Sequence, residues 1–257
     1  MPALSALSHR LDRTIVIRAR PATVFTFFTD TPRWASWWGS GSTIDPKPGG
    51  RVLIRYPGGN EATGEVVEIA PPERIVFTYG YTSGKPIGPG ESQVTIRLEA
   101  LEAGTRVHLS HEFADAAVRT EHVQGWRYQL SVFGSVVAAV VSAGAADLVD
   151  TWFAAWSEPD EAAREQMVRR VATPDVRMRD RFSLLDGISD VLPHIAGAQR
   201  NMPGIRLQRR GDVRQSQGTL LVDWVALGPD GAQRGTGSNV FDLNPDGLID
   251  SVTGFWG

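Results

Sequence analysis

The order of hydrophobic periodicities reverses in this 257-residue chain, and the reversal limits the folds open to it. Before Val141, short segments of alternating character dominate and one long helical segment closes the run. After Ala146, helical segments come first and alternating ones follow. Alternation of period two marks strands with one buried face, whereas apolar residues at i, i+3 and i+4 mark helices. Neither half repeats the other. The pattern predicts two α+β domains, at 11–142 and 145–257, joined across Val141–Ala146.

In the first half, Arg13–Arg20 alternates as an opening strand, and Pro21 suits the first turn of a helix carrying Val24, Phe25 and Phe28. Trp34, Trp37 and Trp38 have helical spacing on a second short helix. Strands follow at about Arg51–Tyr56, Gly64–Ile69, Arg74–Tyr81, Ser92–Ala100 and Thr105–Phe113. A long helix begins near Ala116 and carries Val123, Trp126, Leu130, Phe133 and Val137. The second half opens with helices at Asp147–Trp156 and Asp160–Ala172. A strand through Val176–Asp180 and a helix at Ser189–Gln199 come next. Four strands follow, at Arg206–Gln215, Gly218–Leu227, Gly235–Leu243 and Leu248–Trp256. The turn sequences Pro229-Asp230-Gly231 and Asn244-Pro245-Asp246-Gly247 favour hairpins between them.

Composition excludes more than it assigns. Without cysteine there is no disulfide, thiolate metal site or cysteine nucleophile, and a reducing, cytoplasmic location is expected. A net charge of -3 gives no pull toward nucleic acid or anionic membrane. Met1 to Thr14 lacks the apolar core of a leader. Tyr128 to Ala146 is uncharged, but its Ala, Gly, Ser and Val favour a buried helix running into a connector over a membrane span. No spacing of His and carboxylates suits a metal, and no glycine-rich loop suits a dinucleotide. Neither metal nor cofactor is expected. The run Arg200, Arg206, Arg209, Arg210 and Arg214 reads as solvated surface, or else as a site for an acidic ligand.

Asp180 breaks the pattern of its strand. Val176, Met178 and Asp180 share a face, with arginines on the other. A carboxylate on an apolar face is costly to bury without partners. Desolvation there raises its pKa and suits it to general acid or base work. The competing reading is a strand end at which Asp180 caps a turn before Phe182. Parity also puts Asn239 and Phe241 on one strand face and Trp256, with Val252 and Gly254, on one face of the next. An aromatic face with one amide lines a small-molecule pocket or an ordinary core equally well. His111 shares a face with Val107, Leu109 and Phe113, as a core histidine or a cavity lining.

Two resemblances extend these readings. The first half resembles the SRPBCC superfamily, and within it the heat-shock-protein ATPase activator-like group. The residues that carry this are Pro21-Ala22-Thr23-Val24-Phe25, Trp34, Trp37 and Trp38, the passage from Glu65 to Ile75, His111-Glu112-Phe113 and Gly125-Trp126. It implies a START-like helix-grip fold, a curved sheet wrapped on a long C-terminal helix, with a cavity for an apolar small molecule. Trp34, Trp37, Trp38, Tyr79, His111 and Trp126 would surround that cavity.

The second half resembles the SnoaL-like, nuclear-transport-factor-like proteins from about Ala145 to Trp256, which implies an α+β cone-shaped barrel. Set beside ketosteroid isomerase, whose tuned acids are a known pattern, Asp180 falls at the general base. Trp152 falls at the oxyanion-binding tyrosine, and Asn239 at the protonated aspartic acid. Both replacements are neutral donors, so an oxyanion could still be held. Met178, Phe241 and Trp256 would line the pocket. The resemblance implies isomerase, cyclase or dehydratase chemistry on an apolar ligand. The alternatives are a non-catalytic ligand-binding protein that dimerises through the second sheet, and a chaperone cofactor.

Overall fold

The structure is a computed structural model and describes residues 7–257. Of Met1 to Thr14, the stretch expected to lack a leader, the first six residues lie outside the described residues. The chain divides into two compact units, 1–137 and 138–257, with the division inside the last turns of the long helix.

In the first unit, β1 (His9–Ile17) leads to α1 (Pro21–Phe25), a 3-10 turn at Thr26–Phe28 and α2 (Thr31–Trp38). Five strands, β3 (Arg51–Arg55), β4 (Glu61–Ala70), β5 (Arg74–Tyr81), β6 (Ser92–Leu101) and β7 (Gly104–Phe113), follow a two-residue β2 (Thr43–Ile44). They pair antiparallel in the order β1-β7-β6-β5-β4-β3-β2. β1 starts four residues earlier and stops three earlier than its alternation suggested. Its partner decides this, because the ladder runs from His9 opposite Phe113 to Ile17 opposite Thr105.

Each helix here has a local cause. Asp30 caps α2 by accepting the Arg33 N–H at 2.9 Å. Gly39 ends it at φ 148°, where a Cβ would meet the Arg55 carbonyl oxygen at 2.1 Å. Asp115 accepts from the amides of Ala117 and Val118 and starts α3 (Ala116–Val141). α2 buries Trp34, Trp37 and Trp38 on one face. Phe28, Trp37 and Phe133 pack ring on ring between α2 and α3. Full burial of one such side chain contributes about 1.5–3 kcal/mol.

The second unit begins with α4 (Ala145–Ala155) and α5 (Glu161–Val171), the latter capped by Asp160. Then come β8 (Ala172–Arg179), β9 (Leu184–Asp186), α6 (Ile188–Asn201), β10 (Arg206–Ser216), β11 (Thr219–Leu227), β12 (Gln233–Leu243) and β13 (Ile249–Trp256). The uncharged stretch Tyr128 to Ala146 is split by the end of α3 at Val141 and the start of α4 at Ala145. Among the described residues no single helix is long and apolar enough to cross a membrane.

The second sheet corrects the cone-shaped barrel expected from the sequence. Its order is β10-β11-β12-β13-β8-β9, with β10 and β9 at opposite edges, and among the described residues neither sheet is closed or curled. The physical reason lies at the edges. β9 has only three residues and cannot offer β10 a ladder. Helices cover the apolar face instead. α4 packs beside β10 and α5, and α6 beside α5, β8 and β9. Val149, Phe153, Val168, Val176, Val191, Ile195, Val222 and Phe241 form the core between helices and sheet.

Candidate functional site

Each unit contains a cavity. In the second unit it measures about 1200 Å³ and is lined by residues of α4, α6 and the inner face of the sheet. Trp152, Met178, Asp180, Asn239 and Trp256 all front it. Phe241 does not. It is fully buried in the core, edge-on to Trp152 and Phe153 at 6.4 and 6.2 Å.

Asp180 stands one residue beyond β8 and is half-buried. Its Oδ1 accepts from the Phe182 amide at 2.8 Å and the Ser183 hydroxyl at 2.6 Å, so it caps the turn that ends the strand. Its Oδ2 accepts the Trp256 indole N–H at 3.3 Å. The carboxylate thus closes a turn and fronts the cavity at once. Asn239, on β12, is buried, and its Oδ1 accepts the Trp224 indole N–H at 3.0 Å. An indole only donates, so this bond sets the amide oxygen toward Trp224 and leaves the NH2 group to donate elsewhere. Gly254, paired opposite Asn239, makes the close approach: a Cβ there would lie 3.0 Å from Asp180 Cβ and 3.2 Å from Asn239 Oδ1.

Trp224, Phe182 and His194 also line this cavity but were missed as site residues. Trp224 was legible in part, since it shares the inward face of β11 with Leu220 and Val222. Phe182 and His194 gave no sequence signal. Their place depends on the turn after β8 and on how α6 lies against the sheet.

The first unit's cavity measures about 520 Å³. Trp37, Trp38, Tyr79 and Trp126 line it, together with Tyr56, Tyr81, His122 and Gln129. Trp34 and His111 lie outside the lining. Trp34 is fully buried and donates to the Leu53 carbonyl. His111 is held between Trp126, whose Nε1 donates to its Nδ1 at 2.9 Å, and Ser92, 2.8 Å from its Nε2. Because Nδ1 must accept, Nε2 carries the proton and donates to Ser92, which in turn donates to the Tyr79 carbonyl. Burial drives the His111 pKa well below the ordinary histidine value, and nearby His122 adds to this. Tyr56 and Tyr79 share a 2.8 Å hydroxyl contact, and burial raises both phenol pKa values. Among the described residues no group of three or more His, Asp or Glu side chains is placed to hold a metal.

Residues 18–138 match the family described as Activator of Hsp90 ATPase homolog 1-like protein. The first unit belongs to this family. The activator-like unit is similar to an AHSA1-like protein from Rhizobium etli, with 30% identity over 50% of this chain and 81% of that one, at a TM-score of 0.42. No family model matches the second unit; what is found for it is a likeness to a solved structure. A SnoaL-like family protein from Agrobacterium tumefaciens shares 28% identity over 43% of this chain and 95% of its own length, at a TM-score of 0.42. None of the curated proteins is similar to the chain.

Proposed function

We propose that the second unit binds a largely apolar small molecule carrying a carbonyl group, and that Asp180 takes a proton from the carbon beside that carbonyl. The observation that supports this is the convergence of Asp180, Trp152 and Asn239 on one cavity. The Asn239 NH2, oriented by Trp224, and the Trp152 indole N–H would hold the enolate oxygen. One such donor can be worth about 3 kcal/mol in a transition state. The first cavity, lined by aromatic rings, would hold a second small molecule without reaction.

2-Tetralone has acidic protons beside its carbonyl and serves as a probe. The full chain should accelerate its hydrogen–deuterium exchange in D2O, read by proton NMR. Asp180→Asn should reduce that acceleration about a hundredfold or more, as loss of a general base does. Equal exchange in both proteins would overturn the reading.

The three hydrogen bonds already made by the Asp180 carboxylate favour a second reading, in which the cavity only holds its ligand. In that reading the second sheet pairs two copies of the chain. Saturable binding of 2-tetralone without accelerated exchange, and a dimer in sedimentation, would support it.

A further inference from the structure

The wall of the first cavity is nearly self-satisfied. The Trp126 indole is taken by His111, Tyr56 and Tyr79 bond to each other, and the Gln129 amide reaches the Trp37 carbonyl. Two polar atoms on lining residues stand apart. Trp38 Nε1 and His122 Nε2 are both buried and have no hydrogen-bond partner. Trp38 is 4% exposed and His122 9%.

Their roles follow from chemistry. An indole nitrogen can only donate. The other ring nitrogen of His122, Nδ1, lies 2.7 Å from the Val118 carbonyl oxygen. A carbonyl only accepts, so Nδ1 carries the hydrogen. In the neutral ring Nε2 is then an acceptor. Burial lowers the His122 pKa and keeps the ring neutral, against the opposing pull of Val118 and Glu121. The residues that line the cavity therefore carry one orphan donor and one orphan acceptor, both just behind its surface. The rings around them, Tyr56 and Trp126 beside Trp38, and Tyr79 and Tyr81 beside His122, are aromatic.

We propose that the first cavity takes a neutral aromatic molecule bearing both a hydroxyl, which donates to His122 Nε2, and a carbonyl oxygen, which accepts from Trp38 Nε1. The proposal rests on the reading of this cavity as a small-molecule site and goes further, because a wholly apolar occupant would leave both atoms unsatisfied. Neither atom is open to solvent, so binding in this way requires each ring to turn slightly at the cavity wall. Buried polar groups that gain partners only in the complex make the site select for those partners.

The test uses the full chain, calorimetry, and three probes of similar size. 6-Acetyl-2-naphthol has both groups. Its methyl ether lacks the hydroxyl donor, and 6-ethyl-2-naphthol lacks the carbonyl. The unsubstituted protein should bind 6-acetyl-2-naphthol about tenfold more tightly than either, the ratio that one well-made hydrogen bond supplies. His122→Phe should abolish the preference over the ether, and Trp38→Phe the preference over the ethyl compound. If one variant fails to fold, the other and the unsubstituted protein decide. Equal binding of all three probes overturns the polar pairing but leaves a ligand cavity. No saturable binding of any probe overturns both. A preference that survives both substitutions places it elsewhere in the chain and also overturns the proposal.

Discussion

Trp224 donates its indole N–H to Oδ1 of Asn239 across 3.0 Å, between neighbouring strands of the second sheet. The bond sets which end of a buried amide can face a ligand. Without it the amide could turn over, and the group offered to the cavity would change from donor to acceptor.

Trp224→Phe should therefore cost more than its volume. The amide oxygen loses its partner in a buried place, which destabilises by about 1–3 kcal/mol. Urea unfolding of the full chain measures this. Trp224→Phe together with Asn239→Leu should recover part of the loss, because no polar atom is then left unpaired.

Two glycines of this region should behave differently. A Cβ on Gly237 would sit 2.2 Å from the Phe255 carbonyl oxygen and 2.4 Å from Trp224 Cζ2. The first contact is backbone and cannot yield cheaply, so Gly237→Ala should destabilise by roughly 1–3 kcal/mol. On Gly254 the nearest atoms are side chains at 3.0 and 3.2 Å. Gly254→Ala should cost under about 1 kcal/mol while displacing Asp180, so ligand binding or exchange falls further than the melting temperature.

The buried histidines of the first unit make its stability depend on pH. Folded His111 stays neutral, because burial holds its pKa well below the ordinary value. The unfolded chain binds a proton near pH 6.5. Below that pH the unfolded state binds more protons, so stability falls as pH falls and is complete above it. From pH 7.5 to 5.5 the loss for His111 should be about 1 kcal/mol. His122 adds to it with the same sign. His111→Gln should flatten the dependence of unfolding free energy on pH, although it lowers stability at every pH. An unchanged slope would show that His111 takes up protons in the folded state.

The two compact units suggest independent folding, as the reversed periodicities did. Fragments 1–142 and 143–257, cut in the turn between α3 and α4, should each unfold cooperatively on heating. If neither does, the units depend on each other for stability.

Much of the candidate site was legible in strand parity. Met178, Asn239 and Trp256 line the second cavity because alternate residues of a strand share a face. Parity could not separate lining from core, which is why Phe241 was read as a pocket residue although it packs between Trp152 and Phe153. Strand parity for His111 and helical spacing for Trp34 have the same limit. All three are inward-facing, but their rings are already used by neighbours, and that depends on packing. Asp180 was read as either a site carboxylate or a turn cap. In the folded chain it caps the turn, with Phe182 and Ser183 on one oxygen, and fronts the cavity, with Trp256 on the other.

What the sequence determined by itself was local. Periodicity sorts segments into helices and strands, and the reversal of their order separates two α+β halves, because side-chain direction repeats within a few residues. What the tertiary structure decided was long-range. The second sheet stays open because a three-residue β9 cannot pair with β10 across the sheet, and helices cover the face that closure would have covered. Which polar atoms lack partners was decided there too. The unpaired states of Trp38 Nε1 and His122 Nε2 depend on every neighbour that could have bonded them, and no spacing along the chain records that.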